Sequence, residues 1–143
     1  MVKQSVDLVA NELRLSQVEC ELDLDPDLPT VRCDRRQVQQ VLVNLLQNGI
    51  EAIGNHGKVM VFSRRAEGRD GVVLGVSDDG RGIPADSLSR VFEPFYTTKA
   101  AGEGSGLGLA VAHGIVSEHH GAIEVVRSDA SGTEFRLLFP SRG

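Results

Sequence analysis

Residues 102–109 read GEGSGLGL and continue without a break into AVAHGIV at 110–116. Four glycines at every second position argue against a helix or strand interior, because each costs roughly 0.5–1 kcal/mol there relative to alanine. The run therefore predicts a loop that becomes a helix near Gly106. At such a junction, unpaired backbone N–H groups and the positive end of the helix dipole favour a bound anion. The phosphate chain of a nucleotide suits this pattern, although a flexible glycine-rich hinge would also produce it.

Three further motifs precede the glycine-rich run. Residues 44–48 read NLLQN, residues 78–84 read DDGRGIP and residues 92–95 read FEPF. Together the four motifs resemble the N, G1, F and G2 boxes of the ATP-binding catalytic domain of sensor histidine kinases, within the superfamily of gyrase, chaperone, histidine kinase and mismatch-repair ATPases. The resemblance covers nearly the whole chain, and four ordered motifs are far more specific than any one of them alone.

The spacing of apolar residues predicts an α+β fold. Spacings of three and four predict a short amphipathic helix over the first dozen residues and a longer helix over 35–53, capped by Asp34. A third helix is expected from Gly106 to about His119. Alternation predicts a half-buried strand at 18–24, a hairpin of 57–66 and 71–77, and a closing hairpin of 122–128 and 133–139.

This order of elements indicates a two-layer α/β sandwich. Its sheet is expected to be mixed, mainly antiparallel and five-stranded, with three main helices on one face. The resemblance implies the same architecture, the Bergerat fold. At 143 residues, the chain is expected to form a single domain over 1–143.

Composition limits the class of partner and the compartment. The net charge of −5, with both signs interspersed, leaves no basic face for a nucleic-acid backbone. Cys20 and Cys33 lack metal-ligand spacing, so reduced, structural thiols are expected, as in the cytoplasm. No apolar run approaches the roughly 18–20 residues that cross a bilayer. We therefore expect a cytoplasmic domain without direct membrane contact, although a full-length sensor could carry membrane segments upstream.

Residues from about 85 to 105 predict a mobile lid. Aromatic residues, threonines and Lys99 lie there between glycines, and no long periodic run is present. Loops of this length inside a compact domain are usually functional or disordered. Packing of Phe92 and Phe95 onto the core is an equally good interpretation of those two aromatic residues.

The resemblance implies roles for individual residues. Asp78 matches the aspartate that accepts a hydrogen bond from the adenine exocyclic amine, although aspartate is also common in turns. Thr133 matches a threonine whose hydroxyl helps to hold adenine through water. Asn48 matches the asparagine that binds Mg²⁺, and Asn44 lies one turn before it; both are assigned to catalysis, although two surface asparagines would show the same spacing. The full set assigned to ATP is Asn48, Asp78, Gly80, Gly82, Ile83, Phe92, Thr97, Thr98, Lys99, Gly102, Gly104, Ser105, Gly106, Leu107, Gly108, Leu109 and Thr133.

Three positions depart from patterns in the superfamily. Gly49 replaces the alanine that usually follows the second asparagine, which predicts very close packing but lowers helix propensity. Many relatives carry a lysine or arginine where this chain has Glu51, so Lys99 becomes the candidate for contacting phosphate, unless it is an ordinary solvated lysine. Hydrolysing members of the superfamily carry a water-activating glutamate where this chain has Asn44.

The resemblance implies a histidine kinase catalytic domain in two-component signal transduction. Such a domain binds Mg-ATP and transfers the γ-phosphoryl group to a histidine on a separate dimerisation and phosphoacceptor domain. In the family that histidine is usually followed by an acidic residue, and none of the four histidines here is. We therefore expect the acceptor domain to be absent from this sequence, the isolated domain to be monomeric, and the cognate response regulator to be reached through the full kinase.

Two alternative functions stay open. An anti-sigma-factor serine kinase shares the fold, although the FEPF motif and the GSGLGL run favour a histidine kinase. A non-catalytic ATP-binding module that signals by protein contact belongs to a different class, and the intact N, G1 and G2 boxes argue against it.

Overall fold

The computed structural model describes residues 2–29, 31–68, 70–83, 88, 90–93 and 108–141. Its elements in chain order are helices α1 (Val2–Leu8) and α2 (Ala10–Leu15), strand β1 (Val18–Leu24), helix α3 (Arg35–Ile53), strands β2 (Gly57–Arg65) and β3 (Gly71–Asp78), helix α4 (Gly108–Glu118), and strands β4 (Ala122–Asp129) and β5 (Gly132–Pro140). The strands and α3 agree with the sequence prediction to within one residue. Residues 106 and 107, where the last helix is predicted to begin, lie outside the described residues.

The five strands form one mixed sheet in the order β1-β2-β3-β5-β4. β1 pairs with β2 in parallel, and the other three pairings are antiparallel. Parallel neighbours need a crossover connection, and α3 lies in the connection between β1 and β2. The predicted α+β sandwich with a mainly antiparallel, five-stranded sheet is therefore confirmed.

The core lies between the helices and the inner face of the sheet. Its largest fully buried side chains are Phe135 and Leu137 of β5 and Leu42, Leu45 and Leu46 of α3. The α3 residues follow the predicted helical spacing, so one continuous stripe of this helix is buried. This packing fixes α3 across β2 and β3, which determines what lies beside the end of β3.

The predicted N-terminal helix is divided into α1 and α2 by a bend at Val9. Val9 has φ −109° and ψ 12°, and its N–H donates to Val6 O at 3.1 Å, three residues back. The Val9 side chain is fully buried in the core.

β1 forms one edge of the sheet and carries exposed carboxylates. Glu21 pairs with Lys58 of β2 at 3.0 Å, and Asp23 pairs with Arg64 at 3.1 Å. The expected burial of alternate residues holds for Val18, whereas Leu22 and Leu24 are 38% and 36% exposed. The second half of β1 is therefore less buried than its sequence pattern predicts.

Two further observations concern the helices and the cysteines. Among the helices in the described ranges, none is both long and apolar enough to cross a membrane. Cys20 and Cys33 are free, partly buried thiols, and burial raises the pKa of both. A raised pKa disfavours the reactive thiolate, which agrees with a structural role for the two cysteines.

The start of α3 gives a test of local stability. The Asp34 carboxylate accepts hydrogen bonds from the N–H groups of Arg36 at 3.0 Å and Gln37 at 3.3 Å. We expect Asp34→Ala to lower the free energy of unfolding by about 1 kcal/mol, because these amides lose their acceptor. Urea denaturation measures the change. Asp7→Ala, at an exposed position within α1, is the control and should change stability by less than about 0.5 kcal/mol; equal losses in the two variants would contradict the capping role.

Candidate functional site

The candidate site lies where β3 ends beside the turn between β4 and β5. Asp78 is the last residue of β3 and pairs directly with Thr133 of β5. Both residues are buried, with 6% and 2% of their surface exposed. Directly paired residues have Cβ atoms about 4.5–5.5 Å apart, so the fold brings together the two residues that the sequence assigns to adenine.

The environment of Asp78 leaves its carboxylate able to accept further hydrogen bonds. One carboxylate oxygen accepts the N–H of Gly80 at 2.9 Å. Burial raises the pKa of Asp78 above its ordinary value, while the N–H groups of Gly80 and Thr133 partly offset this effect. An ionised carboxylate can accept about four hydrogen bonds, so an N–H donor of a ligand would add to this set.

Helix α3 forms one wall of the site at Gly49. A Cβ atom on Gly49 would lie 3.3 Å from Asp78 Cβ and 3.4 Å from Asp78 Oδ2. The very close packing predicted from this glycine is therefore confirmed. The neighbouring Asn48 is partly buried, and its place beside Gly49 puts it on the helix segment that adjoins the Asp78 carboxylate.

The loop after β3 is held between α3 and the β4–β5 hairpin. A Cβ atom on Gly80 would lie 2.6 Å from the carbonyl carbon of Ala52 in α3. Gly82 has φ +78°, and a Cβ atom there would lie 2.1 Å from Asp129 O in β4. Gly82 thus combines a left-handed conformation with a backbone contact that leaves no room for a side chain. Both walls of the loop are backbone, so its position is closely fixed.

Ser128 lies between this loop and Thr133, and it is not among the residues predicted from the sequence. Its Oγ accepts the N–H of Ile83 at 2.7 Å and lies 2.9 Å from Thr133 Oγ1. β4 has a register shift between Val125 and Arg127, and after it Ser128 pairs with Thr133. Regular alternation along the strand gives no signal of this shift.

Asn44 joins α3 to the start of α4. Its Nδ2 donates to Gly108 O at 2.9 Å, and its Oδ1 accepts from Gln40 Nε2 at 2.7 Å. Gly108 is the first residue of α4 in the structure. Asn44 therefore holds the helix that follows the glycine-rich run against α3, while its assignment to catalysis stays a prediction.

Phe92 packs on the core and on α4. Its ring centroid lies 5.5 Å from that of His113 and 6.3 Å from that of Phe135. Leu109, in the first turn of α4, is also partly buried against the core. The interpretation of Phe92 as a packing residue is thus confirmed, and the structure gives no separate support for a ligand contact.

Eight of the residues predicted to bind nucleotide lie outside the described residues. They are Thr97, Thr98, Lys99, Gly102, Gly104, Ser105, Gly106 and Leu107. Phe95 and most of the predicted lid over 85–105 lie outside them as well. The described part of the candidate site therefore comprises the residues that the sequence assigns to adenine, together with α3 and the start of α4.

The residues present fit a divalent cation that is held mainly by a nucleotide. Within the described ranges, no group of three or more His, Cys, Asp or Glu side chains could hold a metal ion. The amide oxygen of Asn48 is a hard ligand of the kind that Mg²⁺ prefers. Mg²⁺ usually takes only one or two protein ligands and keeps waters and substrate phosphates, so a single protein ligand is compatible with its binding.

Comparisons with known proteins agree with this geometry. Residues 33–143 match the family described as "Histidine kinase-, DNA gyrase B-, and HSP90-like ATPase". The chain is 39% identical to "Sensor histidine kinase ZraS" of Escherichia coli (strain K12), over 98% of this chain and 29% of that protein. This chain therefore spans less than a third of the length of that relative.

Solved structures extend the similarity to the fold. The catalytic domain of histidine kinase ThkA superposes with a TM-score of 0.84 at 30% identity, covering 98% of this chain and 91% of that one. Full-length ShkA in complex with AMPPNP gives a TM-score of 0.85 at 27% identity, covering 97% of this chain and 29% of that one. The structural similarity thus extends into the N-terminal segment that precedes the family match.

Proposed function

Because this chain belongs to the family of histidine kinase-, DNA gyrase B- and HSP90-like ATPases, we propose that it binds Mg-ATP and transfers the γ-phosphoryl group to a histidine of a separate domain. The observation that carries the proposal is the buried carboxylate of Asp78, a residue that pairs with Thr133 in the sheet and adjoins Gly49 of α3. Such a carboxylate supplies the acceptor that an adenine amine requires.

In this proposal α3 and α4 together form the phosphate end of the site. The start of a helix offers unpaired N–H groups and a positive dipole to an anion. The hydrogen bond from Asn44 to Gly108 O holds the start of α4 at a fixed place beside α3. Asn48, one turn along α3, would hold Mg²⁺, which neutralises charge on the transferring phosphates. Positioning and charge neutralisation are thus the contribution of this chain.

The proposal includes the partners of a sensor kinase. The acceptor histidine belongs to a dimerisation and phosphoacceptor domain of the same kinase, and the cognate response regulator is reached through the full kinase. The isolated domain is monomeric, and it lies in the cytoplasm, where ATP is available. Neither nucleic acid nor the membrane is a direct partner of this domain.

We expect the isolated chain to bind Mg-ATP but to release phosphate at close to the background rate. Asn44 occupies the position of the general base of hydrolysing relatives, a role worth typically 10²–10⁴-fold in rate. An amide cannot accept a proton in this way, and both polar groups of Asn44 are engaged by Gln40 and Gly108. Calorimetry would measure binding, and a steady-state phosphate assay would measure hydrolysis. Asn55→Ala, at an exposed position just after α3, is the control. Rapid hydrolysis that Asn44→Ala abolishes and Asn55→Ala preserves would contradict this mechanism.

Transfer itself is tested by adding the phosphoacceptor domain of the cognate kinase with radiolabelled ATP. A histidine kinase yields a phosphoprotein that acid hydrolyses, because the phosphorus–nitrogen bond is acid-labile. An acid-stable product on a protein substrate would support the serine kinase alternative. Failure of the chain to bind ATP would contradict the proposal.

A further inference from the structure

Asp78 alone does not distinguish adenine from guanine. A carboxylate accepts a hydrogen bond from the exocyclic amine of adenine, and equally from the ring N–H and exocyclic amine of guanine. Adenine has an acceptor ring nitrogen beside its amine, at the place where guanine has an N–H donor. A donor of the protein next to Asp78 would therefore favour adenine over guanine.

The hydroxyl of Thr133 is placed to be this donor. Thr133 pairs with Asp78 across β3 and β5, so the two side chains project from the same face of the sheet. A hydroxyl group rotates, and it offers one hydrogen and two lone pairs. Thr133 can donate this hydrogen to a base, directly or through water, only when no neighbouring group of the protein accepts it.

Ser128 is the neighbouring residue that determines whether the Thr133 hydrogen is available to a ligand. Its Oγ accepts the N–H of Ile83 at 2.7 Å, and an amide can only donate. Its Oγ also lies 2.9 Å from Thr133 Oγ1, so one of the two hydroxyls donates to the other. When Ser128 is the donor, a chain runs from the Ile83 N–H through Ser128 to Thr133, and successive bonds in such a chain strengthen one another. The Thr133 hydrogen is then left for the ligand.

We propose that Ser128 is a positioning residue that orients the Thr133 hydroxyl as a donor to the base and thereby favours adenine over guanine. This inference rests on the proposed nucleotide site. Ser128 itself does not contact the nucleotide, and its effect passes through Thr133.

The bulge in β4 is what brings Ser128 to this place. Val125 pairs with Phe135, so an unbroken register would pair Arg127 with Thr133. The shift makes Val126 the extra residue, and its side chain is 44% exposed. Bulges commonly redirect a side chain next to a functional site. The bulge thus places the small hydroxyl side chain of Ser128, instead of the long cationic side chain of Arg127, beside the residues assigned to adenine.

The backbone around the two hydroxyls keeps them together. Gly82 packs against Asp129, the residue after Ser128, and Gly132, the residue before Thr133, packs against the carbonyl of Asp78. Both contacts are too close for a Cβ atom. These contacts hold the loop after β3 against the hairpin, so Ser128 has little freedom to turn away from Ile83 and Thr133.

The test compares dissociation constants for ADP and GDP by calorimetry in the wild-type chain and its variants. We expect Ser128→Ala to bind ADP about tenfold more weakly while its GDP affinity stays within about twofold, so the selectivity ratio falls about tenfold. Ser128→Thr keeps the hydroxyl and should keep most of the ratio. Ser131→Ala removes a hydroxyl that bonds to Asp129 at the exposed tip of the same hairpin, and as the control it should leave the ratio unchanged.

An equal loss of ADP and GDP affinity in Ser128→Ala, or an unchanged ratio, would overturn the inference, because a purely structural role affects both nucleotides alike. If Ser128→Ala does not fold, Ser128→Cys replaces the hydroxyl with a thiol, which is a weak hydrogen-bond donor and a weak acceptor. A lower ratio of ADP to GDP affinity in this variant supports the inference, and an unchanged ratio overturns it. A wild-type chain that binds neither ADP nor GDP would overturn the proposed function as well, whereas failure of the selectivity test alone leaves it standing.

Discussion

We expect Asp78→Asn to weaken ADP binding roughly 5- to 150-fold while leaving the fold intact. The substitution replaces an acceptor-only carboxylate with an amide, whose NH₂ group would face either the adenine amine or the N–H groups of Gly80 and Thr133. An unmatched buried polar contact costs roughly 1–3 kcal/mol. Calorimetry with ADP measures the loss, and thermal unfolding confirms that the variant is folded.

Asp79→Asn is the matched control for this prediction. Asp79 is the next residue along the chain, but it is exposed and its carboxylate accepts the N–H of Lys58 at 2.9 Å. We expect its ADP affinity to stay within about threefold of the wild type, a difference of less than 1 kcal/mol. Equal losses in the two variants would show that local charge, rather than the Asp78 acceptor, governs binding.

Acid should reproduce the effect of the Asp78 substitution. Protonation of Asp78 replaces a charged acceptor with a neutral carboxyl group, so affinity for the adenine amine falls as pH decreases. Because burial raises the pKa of Asp78, this loss should begin at a higher pH than for an ordinary aspartate. In Asp78→Asn that part of the pH dependence should disappear, while the titration of the ADP phosphates is common to both proteins.

Gly132→Ala should destabilise the fold by roughly 2–5 kcal/mol. Gly132 has φ +136°, and a Cβ atom there would lie 1.9 Å from Asp78 O. The expected cost combines roughly 1–2 kcal/mol for a left-handed conformation with about 1–3 kcal/mol for overpacking. Chemical denaturation measures the loss. Any shift of Asp78 away from the new methyl group should also weaken ADP binding.

Gly68→Ala separates the cost of the left-handed conformation from the cost of overpacking. Gly68 lies in the turn between β2 and β3 with φ +73°, but a Cβ atom there would meet nothing within 4 Å. We expect this variant to lose only about 1–2 kcal/mol, because it carries the conformational cost without the contact. If Gly68→Ala were as unstable as Gly132→Ala, the contact with Asp78 would have no energetic importance.

The parts of the fold that depend on local chemistry are predictable from the sequence. Helix α3 begins after Asp34, whose side chain caps it, and ends at Ile53 as its apolar spacing predicts. The glycine at position 49 predicts a close approach, which the structure shows to be a contact with Asp78. At each of these positions few residue types are compatible with the local structure, so the residue found there predicts that structure.

Other features depend on partners that are distant in the sequence. The pairing of β3 with β5 brings Asp78 to Thr133 across 55 residues, and nothing local to either residue indicates it. The bulge that places Ser128 beside Thr133 follows from the register of the whole β4–β5 hairpin. Strict alternation along β4 would instead place Ser128 on the opposite face of the sheet. The exposure of Leu22 and Leu24 likewise reflects the position of β1 at the edge of the sheet rather than its own pattern.

The carboxylates along β1 have a consequence for the behaviour of the chain at high concentration. An edge strand offers unpaired N–H and C=O groups to any other strand, and charged side chains are a common protection against such pairing. A second copy that added its own β1 side by side would bring rows of exposed acidic residues, Glu19, Glu21 and Asp23, close to one another. Ion pairs with Lys58 and Arg64 offset part of this charge. The remaining repulsion between the rows opposes fibre-like stacking of free copies, and replacement of the acidic side chains by neutral ones would remove this protection.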